Sequence, residues 1–173
     1  MIQAINTWFR QRKGAAAIEF SLLVVPFVFI TLGIIEVSLM FLSASIVEGA
    51  TDSAARLIRT GQIQQSSGDP EDMFRDALCV YTTALVNCDD LTFEVLTMDS
   101  YSDYTDAVYD SDGSMISQGF DPGGSNNKVI IRVSWRYEMI TPVIGTILNG
   151  ADGATTFLST IVLQSEPYEF QGA

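Results

Sequence analysis

Residues 14–41 read GAAAIEFSLLVVPFVFITLGIIEVSLMF, and this stretch decides the architecture. Sixteen consecutive residues between Glu19 and Glu36 carry no charge, and charge-free sequence resumes from Val37 to Val47. A helix needs ~20 mainly apolar residues to cross a bilayer, so the run from Ala15 to about Phe41 is long enough to span. Arg10, Arg12 and Lys13 stand directly before it and give the first 18 residues a charge of +3. The following 155 residues hold six basic and all 21 acidic side chains, −15 net. A short basic segment followed by a long apolar run is the pattern of a membrane-targeting sequence with its basic end in the cytoplasm, which directs everything after it outward. A cleaved secretory peptide is shorter and ends on small residues; here Gly14, Ala15, Ala16 and Ala17 precede the apolar run.

Composition removes several function classes. The chain has 173 residues, 17% charged and 47% hydrophobic, which fits one modest domain plus an unusually apolar segment. It contains no histidine, which excludes Ser-His-Asp and Cys-His catalysis, and two cysteines cannot complete a four-ligand zinc site. A net charge of −12 disfavours nucleic acid, whose phosphates need clustered Lys and Arg. No catalytic residue, metal or cofactor is expected.

Gly14-Ala15-Ala16-Ala17-Ile18-Glu19-Phe20 sets a glycine after the basic leader and a glutamate five positions on, where the apolar run begins. This resembles a type IV prepilin processing site, which implies a peptidase cut between Gly14 and Ala15. A carboxylate at the hydrocarbon edge is costly unless paired, and the new α-amine of Ala15 in a neighbouring subunit is a suitable cation. Glu19 would then set the axial register; the alternative is a carboxylate that snorkels to the headgroups. With Phe20 after the glutamate and Pro26 further on, GAAAIEFSLLVVPF resembles the opening of TadE-like proteins, the pseudopilins of the tight-adherence (Tad, or Flp) pilus machinery. Ala54-Ala55-Arg56 ahead of Gly61, and Glu166-Pro167-Tyr168 near the end, are similar to that family as well.

The expected organisation is a leader at 1–14, a transmembrane and juxtamembrane helix at 15–60, and a periplasmic domain at 61–173 with an acidic loop at 99–127. As one helix, residues 15–56 would reach ~63 Å. A bend is expected at Pro26, which has no amide proton for the Leu22 carbonyl, with Ser21 available to satisfy that oxygen. Ser45, Gly49 and Ser53, and likewise Ala50 and Ala54, form small faces suited either to a helical bundle or to the chain's own domain. Glu36 fits an outer interface or a polar bundle contact.

Pro70-Glu71-Asp72 begins a helix whose apolar spacing runs Met73, Ala77, Leu78, Tyr81, Leu85. Cys79 and Cys88 are expected to form a disulfide in an oxidising periplasm, the alternative being two buried thiols in a reducing location. Strands are expected at 91–97, 128–137 and 155–164, with a short helix from Thr141-Pro142 to Leu148. In the second strand Ile131, Val133, Trp135 and Tyr137 share one face, opposite a mostly polar set of Ile130, Arg132, Ser134 and Arg136. The fold class is α+β: a long N-terminal transmembrane helix leading into a small domain with an antiparallel sheet of about three to four strands. The acidic stretch 99–127 reads as a turn or solvated loop around Asp112-Gly113; an EF-hand register fails there, and its tyrosines could form a partner surface.

The function implied is that of an inner-membrane pseudopilin, N-terminus cytoplasmic and C-terminal domain periplasmic or carried into the pilus. It would prime, cap or stabilise the fibre or its platform by helix packing. Its partners would be a prepilin peptidase, other Tad pilins and pseudopilins, and the inner membrane, with no nucleic acid. The alternative is a signal-anchored periplasmic binding module that keeps its leader. A hydrolase is a third class, for which two lysines, Lys13 and Lys128, leave little material.

Overall fold

The computed structural model describes residues 14–82, 85–149 and 154–168. Three helices, α1 (Ala15–Arg59), α2 (Pro70–Thr82) and α3 (Pro142–Asn149), accompany three strands, β1 (Leu91–Met98), β2 (Lys128–Glu138) and β3 (Ala154–Gln164). The chain divides into two compact units, residues 1–38 and 39–173.

In the first unit α1 continues as helix through Pro26. An 18-residue window of α1 has a mean hydropathy of 2.5 and is 6% buried, so the helix is long and apolar enough to cross a membrane. Ser21, Thr31 and Ser38 each donate their hydroxyl to the carbonyl four residues back. That disposal keeps a hydroxyl satisfied inside an apolar helix. Ser21 therefore serves Ala17 and not Leu22, contrary to the sequence expectation. Glu36 is buried, 2% exposed, whereas Glu19 is exposed.

The second unit is built on an antiparallel sheet of order β1-β2-β3. Val47, Ala50, Thr51, Ala54, Ala55 and Ile58 recur every three to four residues on α1 and are all buried. They pack in one core with Phe93 and Val95 of β1, Val129, Ile131, Val133 and Trp135 of β2, and Leu163 of β3. The alanines let the helix backbone lie close to the sheet. At its end the Gly61 amide donates to the Ile58 carbonyl and the Gln62 amide to the Leu57 carbonyl, a Schellman closure with Gly61 at φ +73°. The tail after β3 returns to the same point. The Glu166 amide donates to the Arg59 carbonyl at 2.8 Å, and the Tyr168 ring lies against Gly61. Burial raises the Tyr168 hydroxyl above its ordinary value of 10.

Two expectations need correction. On α2 the buried residues are Phe74, Leu78 and Thr82, while Tyr81 is 59% exposed and Leu85, past the helix end, is 44% exposed. The apolar count missed that Thr82 can enter the core because its hydroxyl returns to the Leu78 carbonyl. The supposed polar face of β2 is also buried: Ile130, Arg132 and Ser134 are each 1–2% exposed. They are covered because residues 99–127, a largely exposed loop, fold across that face and anchor to it through Gln118 and Thr105. The Asp112-Gly113 turn does form: the Gly113 amide donates to the Asp110 carbonyl, beside a bridge between Tyr109 and Met115.

Cys79 on α2 and Cys88 in the following turn form a disulfide, with Cα atoms 5.5 Å apart. Closing a loop of sequence separation 9 stabilises by about 2.5 kcal/mol in the chain-entropy account. The Cys79→Ser/Cys88→Ser chain in detergent should therefore lose about that much in urea denaturation, and reductant should lower the wild-type midpoint while leaving the variant's unchanged.

Candidate functional site

Gly14 stands exposed in the turn that leads into α1. Its φ is outside the left-handed region, and a Cβ built on it meets nothing within 4 Å. Among the described residues, neither backbone conformation nor packing requires glycine here. Glu19 lies on the second turn of α1 and makes no ion pair with any described residue. Ile18, Phe20, Leu22, Leu23 and Phe27 are each 68–72% exposed. An unpaired carboxylate set among exposed apolar side chains is a surface made for lipid or for other helices.

The two small-residue rows of α1 take different roles. Ala50 and Ala54 are 1% and 0% exposed in the chain's own core. Ser45, Gly49 and Ser53 stay outside it and line a shallow cleft beside Tyr81, with the Ser53 hydroxyl donating to the Gly49 carbonyl. The alanine row thus packs on the chain's own domain, and the serine-glycine row is left outside that core.

Three carboxylates of the acidic loop accept from its own backbone. Asp103 accepts from the Ser100 amide, Asp110 from the amides of Asp112 and Ser114, and Asp121 from the Gly123 amide and the Thr97 hydroxyl. Short carboxylates satisfy turn amides in this way, which accounts for a run of aspartates without invoking a ligand. Two of its tyrosines meet cations of β2: Tyr101 lies 5.7 Å from the Lys128 ammonium and Tyr104 lies 5.3 Å from the Arg132 guanidinium. Among the described residues no three carboxylates or thiols converge on a point that could hold a metal.

Sequence reasoning missed the ion pair that fastens this loop. Glu94 and Arg132 stand directly opposite in the β1–β2 register and are 0% and 1% exposed. Arg132 Nη1 donates to Glu94 Oε1, and the Gln118 amide donates to Glu94 Oε2 at 2.9 Å. Arg132 Nη2 donates to the Thr105 carbonyl, so both legs of the loop are held. The available signal was the single charge of β1, Glu94, at the centre of its strand, and a base, Arg132, near the centre of β2.

The family model described as TadE-like protein matches residues 14–56. No curated protein and no solved structure matches the chain.

Proposed function

We propose, on the premise that residues 14–56 are a TadE-like segment, that this chain is a pseudopilin of the tight-adherence pilus system. In this reading a prepilin peptidase cuts between Gly14 and Ala15, and the apolar part of α1 holds the mature chain in the inner membrane. Its N-terminus stays cytoplasmic, and residues 61–173 form the periplasmic domain. The Ala15 α-amine of a neighbouring pilin pairs with Glu19, Phe20 packs beside it, and Pro26 bends the helix. The protein primes, caps or stabilises the fibre or its platform by packing and performs no chemistry.

The observation that carries this is the glycine. Gly14 is matched by the family model, yet no steric or conformational demand among the described residues explains it. A peptidase that admits only a residue without a side chain would.

Intact mass and N-terminal sequence of the chain from native membranes test the proposal. The wild-type chain should begin at Ala15, and Gly14→Leu should retain residues 1–14. Glu19→Ala should be cut normally while piliation falls. A wild-type chain still beginning at Met1 in cells with active prepilin peptidase would replace this reading with the anchored binding module.

A further inference from the structure

The two edges of the sheet are treated differently. β1 is blunted: the Val95 amide donates to the Gly119 carbonyl at 3.1 Å, and the Asp121 amide donates to the Val95 carbonyl at 2.7 Å. Phe120, between those anchors, sits in a ring cluster with Phe74 and Phe93. β3 lacks such pairing among the described residues, although α3 touches it. Among the described residues no segment pairs with its outer side. Its eleven residues, ATTFLSTIVLQ, contain no charge, proline or glycine, and its register with β2 runs without a bulge. Proteins that must keep an edge unpaired place charges, prolines or bulges there.

Beside this edge lies a cleft of about 400 Å³. Trp135, Phe157 and Ile161 give it an apolar floor, and Glu48 and Asp52 of α1 form its rim. Both rim carboxylates are exposed and make no ion pair with any described residue. Four helical residues separate them by about 6 Å along the axis. Alternate side chains of a strand are about 6.7 Å apart, so consecutive same-face residues of an added strand match that spacing.

We propose that the β3 edge and its acidic rim dock an extended, basic segment of another protein, which adds as a fourth strand and sets Lys or Arg at alternate positions against Glu48 and Asp52. Main-chain hydrogen bonds to β3 supply the hold, and the rim supplies the choice of partner. A second copy of this chain is the poorer occupant, because it brings its own acidic rim and a net charge of −12. The surface belongs to the second unit alone and does not depend on entry into a fibre.

The test uses the full chain in nonionic detergent at physiological salt and a fluorescent synthetic peptide that alternates Lys with Val and Thr. Two control peptides accompany it: one with Glu in place of Lys, and one of unchanged sequence but N-methylated along the edge that would pair. The Lys peptide should bind and should slow amide exchange across residues 154–164 by about tenfold or more. Both controls should bind about tenfold more weakly or worse, as should the Lys peptide with Glu48→Gln/Asp52→Asn protein. That variant should keep the wild-type denaturation midpoint. Absence of binding by the Lys peptide, or equal binding by its N-methylated twin, would overturn the proposal. So would a chain that elutes as a dimer with its β3 amides already protected, since a second copy would then hold the edge.

Discussion

Arg132→Ala should lower the stability of the second unit by about 3–5 kcal/mol, the usual cost of leaving one member of a buried ion pair alone. Glu94 is 0% exposed and keeps only the Gln118 amide once the guanidinium is gone. The loop loses its anchor at the Thr105 carbonyl at the same time. Trp135 reports the transition, being 5% exposed and stacked on Phe157 at 5.0 Å. A Trp8→Phe background removes the only other indole. Glu94→Leu/Arg132→Met removes both charges and keeps the volume, so it should recover most of the loss in urea denaturation. Amide exchange over 104–118 should nevertheless stay fast, because neither new side chain can hold the loop. Equal destabilisation in the single and double variants would show that packing, not an unpaired charge, sets the cost.

Gly61→Val should cost about 3–5 kcal/mol through two separable effects. The first is conformational: φ is +73° at Gly61, a region that disfavours any Cβ and a branched one most. The second is steric, since a Cβ at Gly61 falls 2.5 Å from Cδ1 and Cε1 of Tyr168. Gly61→Ala separates them. In a Tyr168→Ala background the clash is gone, and the substitution should cost only about 1 kcal/mol. The difference between the two backgrounds is the coupling energy of helix end and tail. Additive effects of Gly61→Ala and Tyr168→Ala would refute the close approach of that ring.

Residues 15–58 were legible because two periodicities are superposed on one helix, an unbroken apolar run and then buried residues at three- to four-residue intervals. The strands were legible because Leu91–Met98, Lys128–Glu138 and Ala154–Gln164 alternate or are rich in β-branched residues. The second face of β2 was not. Arg132 and Ser134 look solvent-facing to any local pattern, and only the β1–β2 register brings Glu94, 38 residues earlier, against Arg132. The aspartates of 99–127 were legible as turn residues, and Asp110 and Asp121 do accept from amides two to four residues away, but composition does not say which of them do so. The Gly14–Phe20 motif is the reverse case. Its residues were legible as a motif, and among the described residues Glu19 makes no ion pair.

The return of the tail to the end of α1 also decides how the second unit carries load. Tension along α1 reaches the sheet by two routes, through the covalent turn at Gly61 and through the Glu166 amide and Tyr168 ring, which hand it to β3. β3 is zipped to β2 over eleven residue pairs. The helix is thus spliced at its end to both the next residue in sequence and one of the last strand's own neighbours, so a helix drawn from its core is still tied to the ladder at two points.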